Sequence, residues 1–245
     1  MIRLIMVTGL SGSGKSSLVK DILSAKKDFR RAIQYTTRPK RYSTEDEYVF
    51  VNDTEYNKIF GSTPNITREG DTILSDRSYI ITKHDNTNDV WRYGLKVSNQ
   101  QLNAPRLVTY VMAASMSQIL DVTSVLLSVP TVRRRLFVDV VFIQDDLEEQ
   151  KPNFAIERLG RLYHRETMSD NPNYGELLRR FFEDSNLDEL KIIYNMCTEI
   201  NKVYDRMCPF IYNHDLNKFI LSLNSTYKEL KELNESEKMN DEEGD

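Results

Sequence analysis

The run Gly9-Leu10-Ser11-Gly12-Ser13-Gly14-Lys15-Ser16 carries the most explicit chemistry in this chain. Its spacing is G-x-x-x-x-G-K-[ST]. Glycines at these positions let successive backbone N–H groups turn inward onto an anion, the lysine adds a point charge, and the serine hydroxyl is an oxygen ligand for a hard cation. Gly9, Ser11, Gly12, Ser13, Gly14, Lys15, Ser16 and Ser17 therefore read as a cradle for the phosphates of ATP. Lys15 faces the β/γ oxygens and Ser16 faces Mg2+.

Such a cradle works only between a strand and a helix, because the helix N-terminus contributes partial positive charge. The flanks meet that condition. Ile2-Arg3-Leu4-Ile5-Met6-Val7 reads as a buried parallel strand, and Lys15–Ala25 places Leu18, Ile22 and Leu23 on one helical stripe. Farther along, strands are expected at residues 32–37, 47–51, 106–112, 136–143 and 209–213. Helices are expected at 52–60, capped through Asn52-Asp53-Thr54-Glu55, at 115–127, through most of 154–207, and at 215–230. Residues 61–98 are polar and turn-rich, with a hairpin around His84-Asp85-Asn86-Thr87-Asn88. This alternation predicts an α/β fold with a parallel sheet, divided into a core (1–31 and 104–230) and a small mixed α+β insert (32–103).

Composition bounds the rest. With 245 residues, 40% of them hydrophobic, the chain can bury a substantial core. Residues 231–245 hold seven acids against Lys231 and Lys238, a net of −5 within a chain total of −4, so residues 1–230 stand at +1. Anions must then be attracted by local clusters rather than an overall field, and the acidic tail reads as disordered. Two cysteines, Cys197 and Cys208, without a C-x-x-C pair predict neither a disulfide framework nor a zinc site. The apolar start, Met1–Thr8, is too short to span a bilayer, and a cytoplasmic location without membrane partners is expected.

Downstream of the glycine run, Tyr35-Thr36-Thr37-Arg38-Pro39-Lys40-Arg41 and then Glu47-Tyr48-Val49-Phe50-Val51 resemble the T-T-R-x-P-R and D-Y-x-F-V segments of guanylate kinases. The resemblance implies a P-loop NTPase-type parallel sheet flanked by helices, an acceptor-binding insert and a helical lid over about 158–182. It also implies transfer of the ATP γ-phosphoryl group to a nucleoside monophosphate. Arg38, Arg41 and Tyr48 would hold the acceptor phosphate, and bidentate guanidinium groups suit that task because two phosphates must be brought together. Trp91-Arg92-Tyr93-Gly94 is similar to the family's Y-G segment, which makes Tyr93 a wall of the acceptor site. Arg161-Leu162-Tyr163-His164-Arg165, the Asp170-Asn171-Pro172-Asn173 loop and Leu177-Leu178-Arg179-Arg180 resemble its lid. On that likeness Arg161, Arg165 and Arg179 join Lys15 as catalytic cations. Phe210-Ile211-Tyr212-Asn213-His214-Asp215-Leu216 resembles the last strand and its N-D-x-L turn, so the likeness spans roughly residues 2–230.

Positions that read guanine in that family differ here: Gln34 precedes T-T-R, Leu95 follows Tyr93-Gly94, and Tyr110-Val111-Met112-Ala113-Ala114 lacks the aspartate of I-D-x-x-G. A site that has lost hydrogen-bonding partners changes its accepted base. The expectation is therefore the broader class, a guanylate-kinase-like nucleoside or deoxynucleoside monophosphate kinase, with the acceptor base left open. Asp139, Asp145 and Asp146 are candidates to support Mg2+ through water, or simply capping acids. Two other readings fit part of the pattern. One is a kinase acting on a hydroxyl of a modified base or nucleic acid, with Arg133-Arg134-Arg135 on the backbone. The other is a non-catalytic module that binds an acidic partner in the acceptor groove.

Overall fold

The computed structural model describes residues 1–61, 67, 70–82, 87–144, 152–170, 172–183 and 187–242. Its centre is β1 (Ile2–Thr8), buried at every position. Around it a five-stranded, all-parallel sheet runs in the order β2 (Arg30–Arg31), β7 (Val108–Ala113), β1, β8 (Leu136–Ile143), β9 (Met207–Tyr212). Alternation along β1 distributes its side chains. Ile2, Leu4 and Met6 pack with α4 (Met116–Ser128) and α8 (Leu187–Tyr204), while Ile5 and Val7 pack with α1 (Lys15–Ala25) and α9 (Leu216–Glu242). A parallel sheet needs cover on both faces, which is why these strands read as continuous apolar runs.

The insert is a second sheet of order β4-β3-β6-β5, formed by β3 (Gln34–Thr36), β4 (Val49–Phe50), β5 (Thr72–Thr82) and β6 (Asn88–Val97). β5 and β6 make the expected antiparallel hairpin, whose turn, 83–86, lies outside the described residues. α2 (Asp53–Phe60) starts at a capping box made by Asn52 and Glu55 and buries Tyr56 and Phe60 against Ile73. Gly94 lies so close to the Phe60 ring that any Cβ there would collide with it, which explains the glycine of Tyr93-Gly94.

Hydrogen bonds from α4 strap the insert above the C-terminal edge of the main sheet. Arg77 Nε donates to Asp121 at 2.7 Å, Ser75 Oγ donates to Asp121 at 2.8 Å, and the Tyr79 and Ser117 hydroxyls lie 2.7 Å apart. Gln34, from β3, donates to the Ala113 carbonyl at 3.3 Å and accepts from Gln118 at 3.2 Å.

Several boundaries differ from expectation. The periodic run expected to stay helical through Met207 ends at Tyr204. Asp205 turns left-handed (φ 51°), and Met207 already belongs to β9. Pro209 sits within β9, which is tolerated because β9 is an edge strand. Residues 231–242, expected to be disordered, continue α9 instead: Leu216–Glu242 contains neither glycine nor proline, and Lys228 and Glu232 form an i,i+4 pair. Two short helices, α3 (Asn99–Leu102) and α5 (Pro130–Arg135), were not expected. Among the described residues no helix is long and apolar enough to cross a membrane.

Candidate active site

The loop between β1 and α1 turns on glycines in left-handed conformation, Gly12 at φ 84° and Gly14 at φ 101°. A side chain at either position would be strained. Gly12 has a further constraint, because a Cβ would lie 3.0 Å from the Arg158 carbonyl and 3.1 Å from Leu162 Cγ. Gly14 occupies the N-cap of α1 and offers no side-chain cap, and the first turn holds no acid. By contrast α2, α3 and α4 are each closed by a capping box. The first amides of α1 therefore keep their capacity to bind an anion. Ser13 Oγ is buried without a hydrogen-bond partner in the same loop. Lys15 Nζ donates to the carbonyls of Gly9 and Leu10, both at 2.8 Å, which holds it against the loop. Ser16 Oγ donates to Glu47 Oε2 at 3.2 Å, and Ser17 is exposed.

α6 (Pro152–Thr167) crosses this loop. The face it turns inward carries Arg158, Leu162 and Arg165, spaced i, i+4, i+7. Arg158 is fully buried, donates through Nε to the Ser11 carbonyl at 3.0 Å and lies over the Phe181 ring. This revises the expected pairing of Arg161 with Arg165. The helix is rotated so that Arg161 is exposed, and Arg158 occupies the place at the glycine loop. The reason is packing: Leu162 must fill the space over Gly12, and that fixes which arginines share its stripe.

Arg165, on α6, lies within electrostatic reach of Arg38 and Arg41 in the 38–41 turn and of Arg180 on α7 (Tyr174–Glu183). Burial, followed by repulsion from Arg41 and Arg180, pushes its guanidinium down to about 10. Its Nε is buried without a hydrogen-bond partner. Arg41 is lowered in the same way, by burial and then by Arg180 and Arg38, against the weaker pull of Glu45. Arg180 is held by Glu176, its Nε donating at 2.6 Å. Arg179 was the expected lid residue, but its side chain lies outside the described residues. Behind the 38–41 turn is a cavity of about 420 Å³ lined by Arg38, Lys40, Arg41, Trp91, Glu166 and Arg180, among others. The segment after α6 clasps that turn, Asp170 N donating to the Arg41 carbonyl at 2.8 Å.

Arg38 has a different setting from the one its sequence position suggested. It is 2% exposed, sandwiched against the rings of Tyr48 and Phe50, and engaged two-pronged by Glu45 at 2.7 and 3.1 Å. Glu45 Oε2 also accepts from the Arg41 backbone N–H at 2.8 Å. Burial works against both charges, but these bonds outweigh it. Arg38 is held above its ordinary value and Glu45 below the usual carboxylate range. Tyr48 and Tyr93 meet edge-to-face at 5.8 Å, and burial pushes Tyr48 up to about 12, so it stays a neutral hydrogen-bond donor.

Sequence reasoning missed Arg158, Arg180, Glu45 and Glu47 as members of this constellation. A spacing signal existed only for Arg158, three residues before Arg161. Other candidates lie elsewhere. Asp139 pairs with Arg3 in mid-sheet, three residues down β8 from the position opposite Thr8, so it does not face the glycine loop. Arg133, Arg134 and Arg135 end α5 at the start of β8, the opposite edge of the sheet from the loop. Arg133 packs there over Tyr204. Asp145 and Asp146 are outside the described residues. Among the described residues no cluster of three or more acids, histidines or cysteines suggests a metal site. Compared with known proteins, the chain matches no family model and no curated sequence.

Proposed function

We propose that this chain is a P-loop kinase that transfers the γ-phosphoryl group of ATP to a nucleoside or deoxynucleoside monophosphate. The observation that carries the reading is the convergence of Arg41, Arg165 and Arg180 from three separate segments, close enough for their repulsion to depress two of them. Such crowding costs stability unless an anion sits among the guanidinium groups. The uncapped glycine loop adjoins this cleft through α6 and Glu47, which provides one place for a donor triphosphate and a neighbouring place for an acceptor phosphate.

In this reading the loop amides, Lys15 and Ser13 hold the ATP phosphates, and Ser17 lies exposed in the first turn of α1. Arg41, with Tyr48 and Tyr93, holds the acceptor phosphate. Arg38 acts through Glu45 to keep Arg41 in place. Arg165 lies between the two phosphates and stabilises charge on the transferring group, with Arg180 behind it. Arg161 lies exposed on the outer side of α6. The acceptor phosphate oxygen attacks in line, and no covalent enzyme intermediate or general base is required. The protein contributes positioning, charge stabilisation and the exclusion of water. Ser16 fits a divalent cation, since Mg2+ in phosphoryl-transfer sites takes one or two protein oxygens beside phosphates and water. Bound there, Mg2+ would neutralise the β and γ oxygens.

The test is a panel of ribo- and deoxyribonucleoside monophosphates with MgATP, following ADP and diphosphate product. At least one acceptor should turn over, and Lys15→Ala should lower kcat by about 10²–10³-fold or more while leaving the thermal unfolding profile in place. Turnover unchanged in that variant would refute the assignment.

A further inference from the structure

Resting on the kinase reading, we infer that Glu47 is a positioning residue for the divalent cation: it holds the Ser16 hydroxyl so that the oxygen presents its lone pairs to the metal. Ser16 and Glu47 are 31 positions apart and belong to different parts of the fold, Ser16 to the first turn of α1 and Glu47 to the segment entering β4. The Ser16 hydroxyl is nonetheless the donor and Glu47 Oε2 the acceptor, at 3.2 Å.

The chemistry follows from the direction of that bond. A serine hydroxyl has one proton and two lone pairs, and it serves a cation only if the proton points elsewhere. An acceptor on the far side fixes that orientation and makes the oxygen more electron-rich, as outer partners do for metal ligands generally. The chain bends at Glu47 and Tyr48, just before β4, and sends their side chains to different neighbours. Tyr48 accordingly lies against Arg38 and Tyr93 in the acceptor cleft while Glu47 reaches the glycine loop. One dipeptide therefore touches both halves of the site.

ATP affinity measured by calorimetry with Mg2+ and again with EDTA tests this in wild type, Glu47→Gln and Glu47→Ala. Wild type should bind ATP more tightly with Mg2+. Glu47→Ala should lose about 10-fold or more of that gain, with the affinity in EDTA unchanged, and Glu47→Gln should fall between the two. Mn2+ titrated into the ATP-loaded proteins and followed by electron paramagnetic resonance should weaken in the same order. A full Mg2+ gain retained in Glu47→Ala, or an equal loss of affinity with and without metal, overturns the inference. Failure of wild type to bind ATP in either condition removes the kinase reading itself.

Discussion

Among the described residues two arginine–carboxylate pairs are almost wholly buried, Arg3 with Asp139 and Arg38 with Glu45, and they behave in opposite ways. In the main sheet, Arg3 and Asp139 meet at 2.6 Å, and both arginine contacts fall on the single oxygen Oδ2. Arg3 also donates to the Leu223 carbonyl at 2.9 Å, which ties β1 to α9. The backbone N–H groups around Asp139 are committed to the strand ladder, so burial dominates and its carboxyl is raised above the ordinary value. In the insert, Glu45 lies in a turn. There it collects two guanidinium bonds and a backbone N–H, and its carboxyl is lowered. The same two functional groups thus form a latch of modest net value in a strand and a firmly ionised anchor in a turn. What differs is whether local backbone donors are free to help.

The largest expected effect comes from breaking the anchor. Glu45→Ala leaves Arg38 buried without its partner, which should cost about 3–5 kcal/mol in urea unfolding and release the 38–41 turn, raising acceptor KM. Retention of full stability would mean that Arg38 finds another partner.

Breaking the latch should separate single from double replacement. Asp139→Ala should destabilise by about 3 kcal/mol, because Arg3 stays buried with no carboxyl oxygen to accept its hydrogen bond. Arg3→Met combined with Asp139→Leu should be neutral or stabilising, because an apolar pair avoids the desolvation of both ions. Equal losses in the single and the double variant would contradict that account.

Acid titration of stability sharpens the contrast. A carboxyl lowered on folding contributes stability that is present above its unfolded value, near 4.3, and is lost as pH falls through its folded value. Glu45 therefore steepens acid unfolding below about pH 4, and Glu45→Gln should flatten that limb. Asp139, raised on folding, works in the reverse sense: its contribution is present below the unfolded value near 3.9 and declines as pH rises through the folded one. Asp139→Asn should leave the limb at least as steep.

The smallest effect concerns the arginines that neither pair satisfies. Inorganic phosphate at ten times its dissociation constant should stabilise wild type by about 1.4 kcal/mol, or about 3–6 °C in Tm for a chain of this size. Arg165→Met should lose most of that increment without being less stable in phosphate-free buffer. An undiminished phosphate effect in the variant would place the anion elsewhere.

Much of the framework was legible in the sequence. Ile2–Val7 and Leu136–Ile143 read correctly as buried strands because a parallel sheet covered on both faces leaves an uninterrupted apolar run. The cap at Asn52 and the helix after Gly14 were also legible, since capping and glycine conformation act within four or five residues. The end of α8 was not. Leu187–Met207 keeps helical periodicity to its last residue, but Met207 is claimed by pairing with Val138 and Asp205 makes the turn.

The amino-acid sequence by itself therefore determined the glycine loop, the longer strands and helices of the main sheet, and the presence of many arginines near residues 38–41 and 158–180. Only the tertiary structure decided which of them meet. Packing of Leu162 on Gly12 turned Arg158 inward and Arg161 outward, and Glu45 rather than an open cleft took Arg38. Glu47 gained its place beside Ser16 only when the insert folded over the loop. Spacing along a chain fixes the face of one helix or strand, whereas the partner across a cleft is chosen by the packing of both elements, and no local pattern records that choice.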